Sequence, residues 1–177
     1  GITLALELAR QAPEVIMADI SEAALSLTLE NATSLGARVK TYRSDLFAAW
    51  DSPEEGAVQP PEGLFDLVLA NLPYVPEAES VSIEVQHDPA TALYGGPDGL
   101  DIVRRFLKDA LPHLAPRALV MLEVGYDQGY ATREMMESLG YEQCRVLTDM
   151  SGKARFPMGF APQQSGEEQE NPPTDGD

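Results

Sequence analysis

The chain has 177 residues, 44% of them apolar, with 29 acidic against 12 basic side chains and a formal net charge of −17. That length and apolar fraction fit one ordinary globular domain with a real core, followed by a tail. The acidity argues against a protein that stably holds DNA or RNA, because such binding draws most of its free energy from Lys and Arg displacing counterions at phosphates.

Further classes fall away on specific residues. The single Cys144 rules out an intrachain disulfide, reads as a buried structural thiol and is compatible with a reducing, cytoplasmic setting. His87 and His113 are far apart and have no Cys partner, so no metal-ligand spacing is present. No apolar run approaches the ~20 residues of a membrane span, and no signal peptide is visible.

In chain order, Gly1 runs straight into Ile2-Thr3-Leu4-Ala5-Leu6-Glu7-Leu8-Ala9-Arg10, a helical pattern with no strand before it, so a missing upstream segment is expected. Pro13 breaks the pattern, and Glu14 to Ala18 reads as a short buried strand ending at Asp19. Ser21 is a natural N-cap with Glu22 in the first turn. Ala24, Leu25, Thr28, Leu29, Ala32 and Leu35 follow at helical spacing to a stop at Gly36. Arg38 to Arg43 alternates as a further strand, and Ala49 to Gly63, rich in Pro, Glu and Gly, reads as a solvated excursion.

The apolar run Leu64 to Ala70 forms the next strand and delivers Asn71-Leu72-Pro73-Tyr74 to its end. Val75 to Pro97 is then a long loop, a kind that is usually functional or disordered. Leu100, Val103, Phe106, Leu107, Ala110 and Leu111 mark a helix starting near Asp98-Gly99. Arg117 to Val124 is a strand, Asp127 to Leu139 a helix, and Tyr141 to Thr148 and Ala154 to Phe160 two more strands. Short apolar strands alternating with amphipathic helices indicate an α/β protein with a mainly parallel sheet. Residues 1–160 form the expected domain, and 161–177 an acidic tail without apolar periodicity that should be disordered.

Three strand ends carry the candidate chemistry. An acidic residue after the second strand of such a sheet commonly accepts hydrogen bonds from both ribose hydroxyls of a nucleoside cofactor, and Asp19 is the candidate; the alternative is a helix-capping or solvated residue just ahead of Ser21. Asp45, in Ser44-Asp45-Leu46-Phe47, could accept from an adenine amino group while Leu46 supplies an apolar face, or could simply cap a turn. Gly1 could be the last glycine of a Gly-rich turn that lets backbone approach the cofactor.

Asn71 to Tyr74 is the most specific signal. An amide or aromatic NH2 is a poor nucleophile because its lone pair is delocalised, so position and polarisation must do most of the work. If the Asn71 side-chain oxygen and the Leu72 carbonyl each accept one N–H, the nitrogen is fixed with its lone pair toward an electrophile and its developing charge is stabilised. Pro73 restricts Leu72 to extended backbone, and Tyr74 can stack on the flat group. The alternative is an ordinary strand-ending turn.

These residues resemble the class I, S-adenosylmethionine-dependent methyltransferases, and within them the HemK-type protein glutamine methyltransferases that modify peptide chain release factors. The likeness runs from Gly1 to about Phe160 through Ala18-Asp19-Ile20-Ser21, Ser44-Asp45-Leu46-Phe47, Phe65-Asp66-Leu67-Val68 and the Asn71 clamp. It continues through Ala92-Leu93-Tyr94-Gly95-Gly96-Pro97-Asp98-Gly99-Leu100, Leu122-Glu123-Val124-Gly125 and Gln128. The clamp is shared with enzymes that methylate nucleic-acid amines, whereas the Gly-Gly stretch is particular to the HemK-type branch.

The resemblance implies a Rossmann-like sheet with helices on both faces. It implies that Asp19, with Ile20 beside it, holds the cofactor ribose, that Asp45 and Leu46 hold the adenine, and that Gly1 lines the methionine end. Asn71 and the Leu72 carbonyl would bind the glutamine amide, and Tyr74 would pack on it. Leu72 stands where the family has proline, and Asp88-Pro89 where Glu-Pro is expected. The family's N-terminal helical domain, first strand and Gly-rich turn are absent apart from Gly1.

The leading expectation is therefore methyl transfer from S-adenosylmethionine to a release-factor glutamine. A nucleic-acid amine methyltransferase comes second and a non-catalytic fragment unable to hold cofactor third. A nicotinamide-dependent oxidoreductase would share Asp19 but gives Asn71 to Tyr74 no purpose.

Overall fold

A computed structural model describes residues 14–52, 60–78 and 93–163. The expected first helix, Gly1, the Asp88-Pro89 pair and residues 164–177 of the expected tail lie outside the described residues. The chain divides into two compact units, one of Gly1–Gly63 with Arg105–Pro112 and the other of Leu64–Arg104 with His113–Asp177.

The first unit is built on two parallel strands, β1 (Ile16–Asp19) and β2 (Lys40–Arg43), aligned so that Asp19 faces Arg43. Their connection is α1 (Glu22–Leu35), started by the Ser21 hydroxyl accepting from the Ala24 N–H at 3.3 Å and closed at Gly36 in the left-handed region. Both caps fall where the sequence places them. Of the expected apolar face, Leu25 and Ala32 are buried, whereas Leu29 and Leu35 are exposed. A two-stranded sheet is too narrow to cover the whole stripe of a four-turn helix.

Beyond β2 the chain makes a single helical turn, α2 (Ala48–Asp51), where the sequence reading has the beginning of a solvated loop. The reason is apolar: Phe47 is buried, and its ring lies 6.2 Å from Trp50 and 5.6 Å from Phe106. Tyr42 joins this cluster at 5.9 Å from Trp50. Aromatic pairs at such distances add to the area they bury.

The second unit is a four-stranded sheet in the order β3 (Phe65–Asn71), β4 (Leu114–Glu123), β6 (Ala154–Phe160), β5 (Glu142–Thr148). β3 and β4 are parallel, while β6 runs antiparallel to both β4 and β5. The parallel character thus belongs to the β1–β2 and β3–β4 pairs, and the C-terminal hairpin makes the sheet mixed.

β4 begins earlier than its expected start at Arg117. Its register jumps from Leu114 opposite Phe65 to Leu119 opposite Leu67. The bulge contains Pro116, which cannot donate to a ladder, and Arg117 at φ 63°. Past it the strand alternates regularly, with Val120 and Leu122, and Val124 just beyond its end, fully buried, as is Met136 of α3, a helix over Gly129–Ser138. Each such side chain contributes about 1.5–3 kcal/mol by burial.

A further helix, Asp101–Ala110, gives its first turn to this unit and its remainder to the first unit. It buries Val103, Phe106, Leu107 and Ala110. Ala161, placed by the sequence reading in the tail, is buried and donates its N–H to the Ala118 carbonyl at 2.8 Å.

Candidate active site

In the first unit the parallel pairing brings the ends of β1 and β2 side by side, so Asp19 and Asp45 share one rim; the Ser44 N–H donates to the Asp19 carbonyl at 3.0 Å. Asp19 is exposed, and its Oδ1 accepts from the Ser21 N–H at 2.7 Å. The capping role is therefore real, and it leaves Oδ2 without a partner among the described residues. Ile20 is also exposed, at 55%.

Asp45 is exposed as well, and its Oδ1 is paired with the Arg105 guanidinium. The turn carrying it is held by the buried Ser44, whose hydroxyl donates to the Leu46 carbonyl at 2.7 Å and accepts from the Ala49 N–H at 3.0 Å. Leu46 sits half-buried at φ 52°, a conformation rare for leucine that the Ser44 hydroxyl helps to hold.

In the second unit Asn71 ends β3 opposite Glu123 of β4. It is exposed, and its side-chain amide makes no hydrogen bond to a described residue. Leu72, Pro73 and Tyr74 are half-buried. Beyond Tyr74 the chain is pinned rather than left as an open loop. The Val75 N–H donates to the Leu93 carbonyl at 2.8 Å and the Gly95 N–H to the Val75 carbonyl at 3.0 Å, making a parallel bridge between Val75 and Tyr94. The Glu77 N–H reaches the Gly96 carbonyl at 3.1 Å.

The Gly-Gly stretch owes its composition to this embrace. A Cβ on Gly95 would stand 2.5 Å from the Pro73 carbonyl oxygen. Gly99, at φ 75°, has no room for one either, because the Tyr74 carbonyl occupies that place. Asp98 closes the stretch. Its Oδ1 accepts from the Leu100 N–H at 2.9 Å, and its carboxylate is gripped by Arg104, which also reaches Asp101 at 2.7 Å. The Arg104 guanidinium, and next the Leu100 N–H, hold the Asp98 carboxyl below its ordinary value.

Gln128 completes the arrangement, with only 7% of its surface exposed. Its Oε1 accepts from the Gly125 N–H at 2.9 Å, and its Nε2 donates to the carbonyls of Tyr74 at 2.9 Å and Asp98 at 3.2 Å. Sequence reasoning noticed Gln128 only as part of a likeness. The available signal was a polar residue shortly after the apolar β4 run, at the start of the helix that follows. The Arg105 partner of Asp45 had no signal, since the two are 60 positions apart.

The alternation of strands and helices about a partly parallel sheet is that of the Rossmann-like methyltransferase fold, and a solved structure shares it. A methyltransferase from Pyrococcus furiosus superposes with a TM-score of 0.61 at 19% identity, covering 90% of this chain and 68% of that one. In sequence the chain is similar to proteins named release factor glutamine methyltransferases. It is 39% identical over 165 residues to that enzyme of Moorella thermoacetica and 34% identical over 158 residues to that of Deinococcus radiodurans. These matches cover 89% and 88% of this chain but 54% and 52% of the relatives, so the chain spans about half the length of the curated proteins it matches. No family model matches it.

Proposed function

We propose that this chain is the catalytic part of an enzyme that moves a methyl group from S-adenosylmethionine to the side-chain amide nitrogen of a glutamine in a peptide chain release factor. The observation that carries this reading is the clamp: an Asn71 amide with no hydrogen bond to a described residue, next to a main chain on whose following carbonyls Gly95, Gly99 and Gln128 pack. The homology to release factor glutamine methyltransferases supports it.

The residues of the first rim fit the cofactor. Asp19 keeps one oxygen outside its cap for ribose hydroxyls, Asp45 offers a second acceptor beside Leu46 for the adenine, and a strongly acidic chain suits a sulfonium cation. When bound, the cofactor supplies an electrophilic methyl carbon whose bonding pair departs onto sulfur. The chain's own part is to hold the nucleophile. The Asn71 Oδ1 and the Leu72 carbonyl each accept one amide N–H, which orients the nitrogen lone pair and stabilises the positive charge it acquires as the N–C bond forms. The alkylated amide nitrogen is strongly acidic, so its surplus proton leaves to water and no dedicated base is required. Leu72 fills its role through its carbonyl, which any residue provides.

The full reading frame containing this chain, incubated with methyl-labelled S-adenosylmethionine, release factor and nucleic acid, should label one release-factor glutamine. Label confined to nucleic acid, or no label, would overturn the reading. No helix among the described residues is long and apolar enough to cross a membrane.

A further inference from the structure

We infer that Gln128 is the positioning residue of the amide clamp: its buried carboxamide sets the direction of the Leu72 carbonyl by pinning the main chain on the far side of Pro73. The inference rests on the proposed function for its catalytic readout and on geometry alone for its structural one.

A glutamine side chain has one acceptor and two donors to place, and here all are engaged at 2.9–3.2 Å. The two donors go to carbonyls 24 residues apart in the chain, Tyr74 on the clamp side and Asp98 on the Gly-Gly side. One planar group therefore ties the clamp to the stretch that packs on it. The backbone around the carboxamide leaves it no alternative. A Cβ on Gly99 would lie 2.6 Å from Nε2, and one on Gly125 2.8 Å from Oε1. The acceptor bond from the Gly125 N–H fixes which end of the amide points where, so both donors must face the two carbonyls. At 7% exposure, water cannot replace these bonds without cost. Tyr74 is two residues beyond Leu72, with the rigid Pro73 between them. Pinning the Tyr74 carbonyl thus narrows the range of directions open to the Leu72 carbonyl that the substrate amide meets.

Two variants of the full-length protein test this. Gln128→Met keeps the volume and removes every polar atom. Gln128→Glu keeps the acceptor but turns the donor end into a carboxylate facing two carbonyls. Both should lower kcat for methyl transfer about 10–100-fold while leaving KM for S-adenosylmethionine unchanged. The Gln128→Glu variant should recover part of its kcat as pH falls, because a protonated carboxyl can again donate to Tyr74. Both should also speed backbone hydrogen exchange at Val75, Glu77 and Gly95, whose N–H groups bind across the clamp. Wild-type kcat with wild-type exchange in either folded variant overturns the inference. If the wild type methylates no glutamine, the function reading fails while faster exchange in Gln128→Met still supports the positioning role; unchanged exchange then overturns that too.

Discussion

The two rims hold their candidate residues by different means. In the first unit the groups that matter are side chains: Asp19 is fixed by one bond to the Ser21 N–H and Asp45 by one ion pair with Arg105, and all four residues are at least partly open to solvent. In the second unit the groups that matter are mostly main chain, and they are held by glycines that admit no Cβ and by a buried carboxamide. An exposed carboxylate can adjust to whatever hydroxyl or amino group it meets. A carbonyl that must face a weak nucleophile gains from being set before the substrate arrives.

Substitutions at the two rims should therefore fail differently. Gly99→Ala imposes a strained φ and an overlap with the Tyr74 carbonyl together, so it should cost at least about 3 kcal/mol. Urea unfolding would read this, and a loss within about 0.5 kcal/mol of zero would show that the second rim is softer than it looks. Asn71→Ala should lower kcat by about 10²–10³ with unfolding unchanged, since the Asn71 side chain is exposed and makes no hydrogen bond to a described residue. A variant that lost stability along with activity would place Asn71 in the framework instead.

At the first rim, Asp19→Ala should weaken S-adenosylmethionine binding by about tenfold or more in calorimetry, the effect of losing hydrogen bonds to a charged group. Unchanged affinity would leave Asp19 as a helix cap alone. The smallest effect is expected from Asp98→Asn. The Asp98 carboxyl titrates below its ordinary value in the folded chain, so its pairing supports the fold above the unfolded value, about 3.9, and that support disappears as pH falls through the lower folded value. Acid unfolding of the wild type should be slightly steeper than that of Asp98→Asn. Equal slopes would show that the exposed ion pair with Arg104 is screened out.

Legibility in the sequence divides along the same line. The start of α1 at Ser21, its stop at Gly36 and the span of β6 were readable because capping chemistry and two-residue alternation are local. So was the placement of Asp19, Asp45 and Asn71 at or just past strand ends, since each follows a strand-forming run. The single helical turn at Ala48–Asp51 was not, because it depends on Phe47, packed on Trp50, meeting the Phe106 ring of a distant helix. The bulge before Arg117 was visible only as a proline. The second rim was half readable: the Gly95-Gly96 and Gly99 spacing stood out, but its purpose, the close approach of Pro73 and Tyr74 carbonyls, lives in pairings across some twenty residues.

The glycines packed on those carbonyls also determine where the chain can tolerate variation. Position 72, at the centre of the clamp, contributes a carbonyl that any amino acid carries, and leucine occupies it here. Positions 95 and 99, which no substrate atom need touch, admit hydrogen alone. A saturation library selected for methyl transfer should thus look inverted, with the residue nearest the reacting nitrogen among the most forgiving and the two small ones behind it among the least.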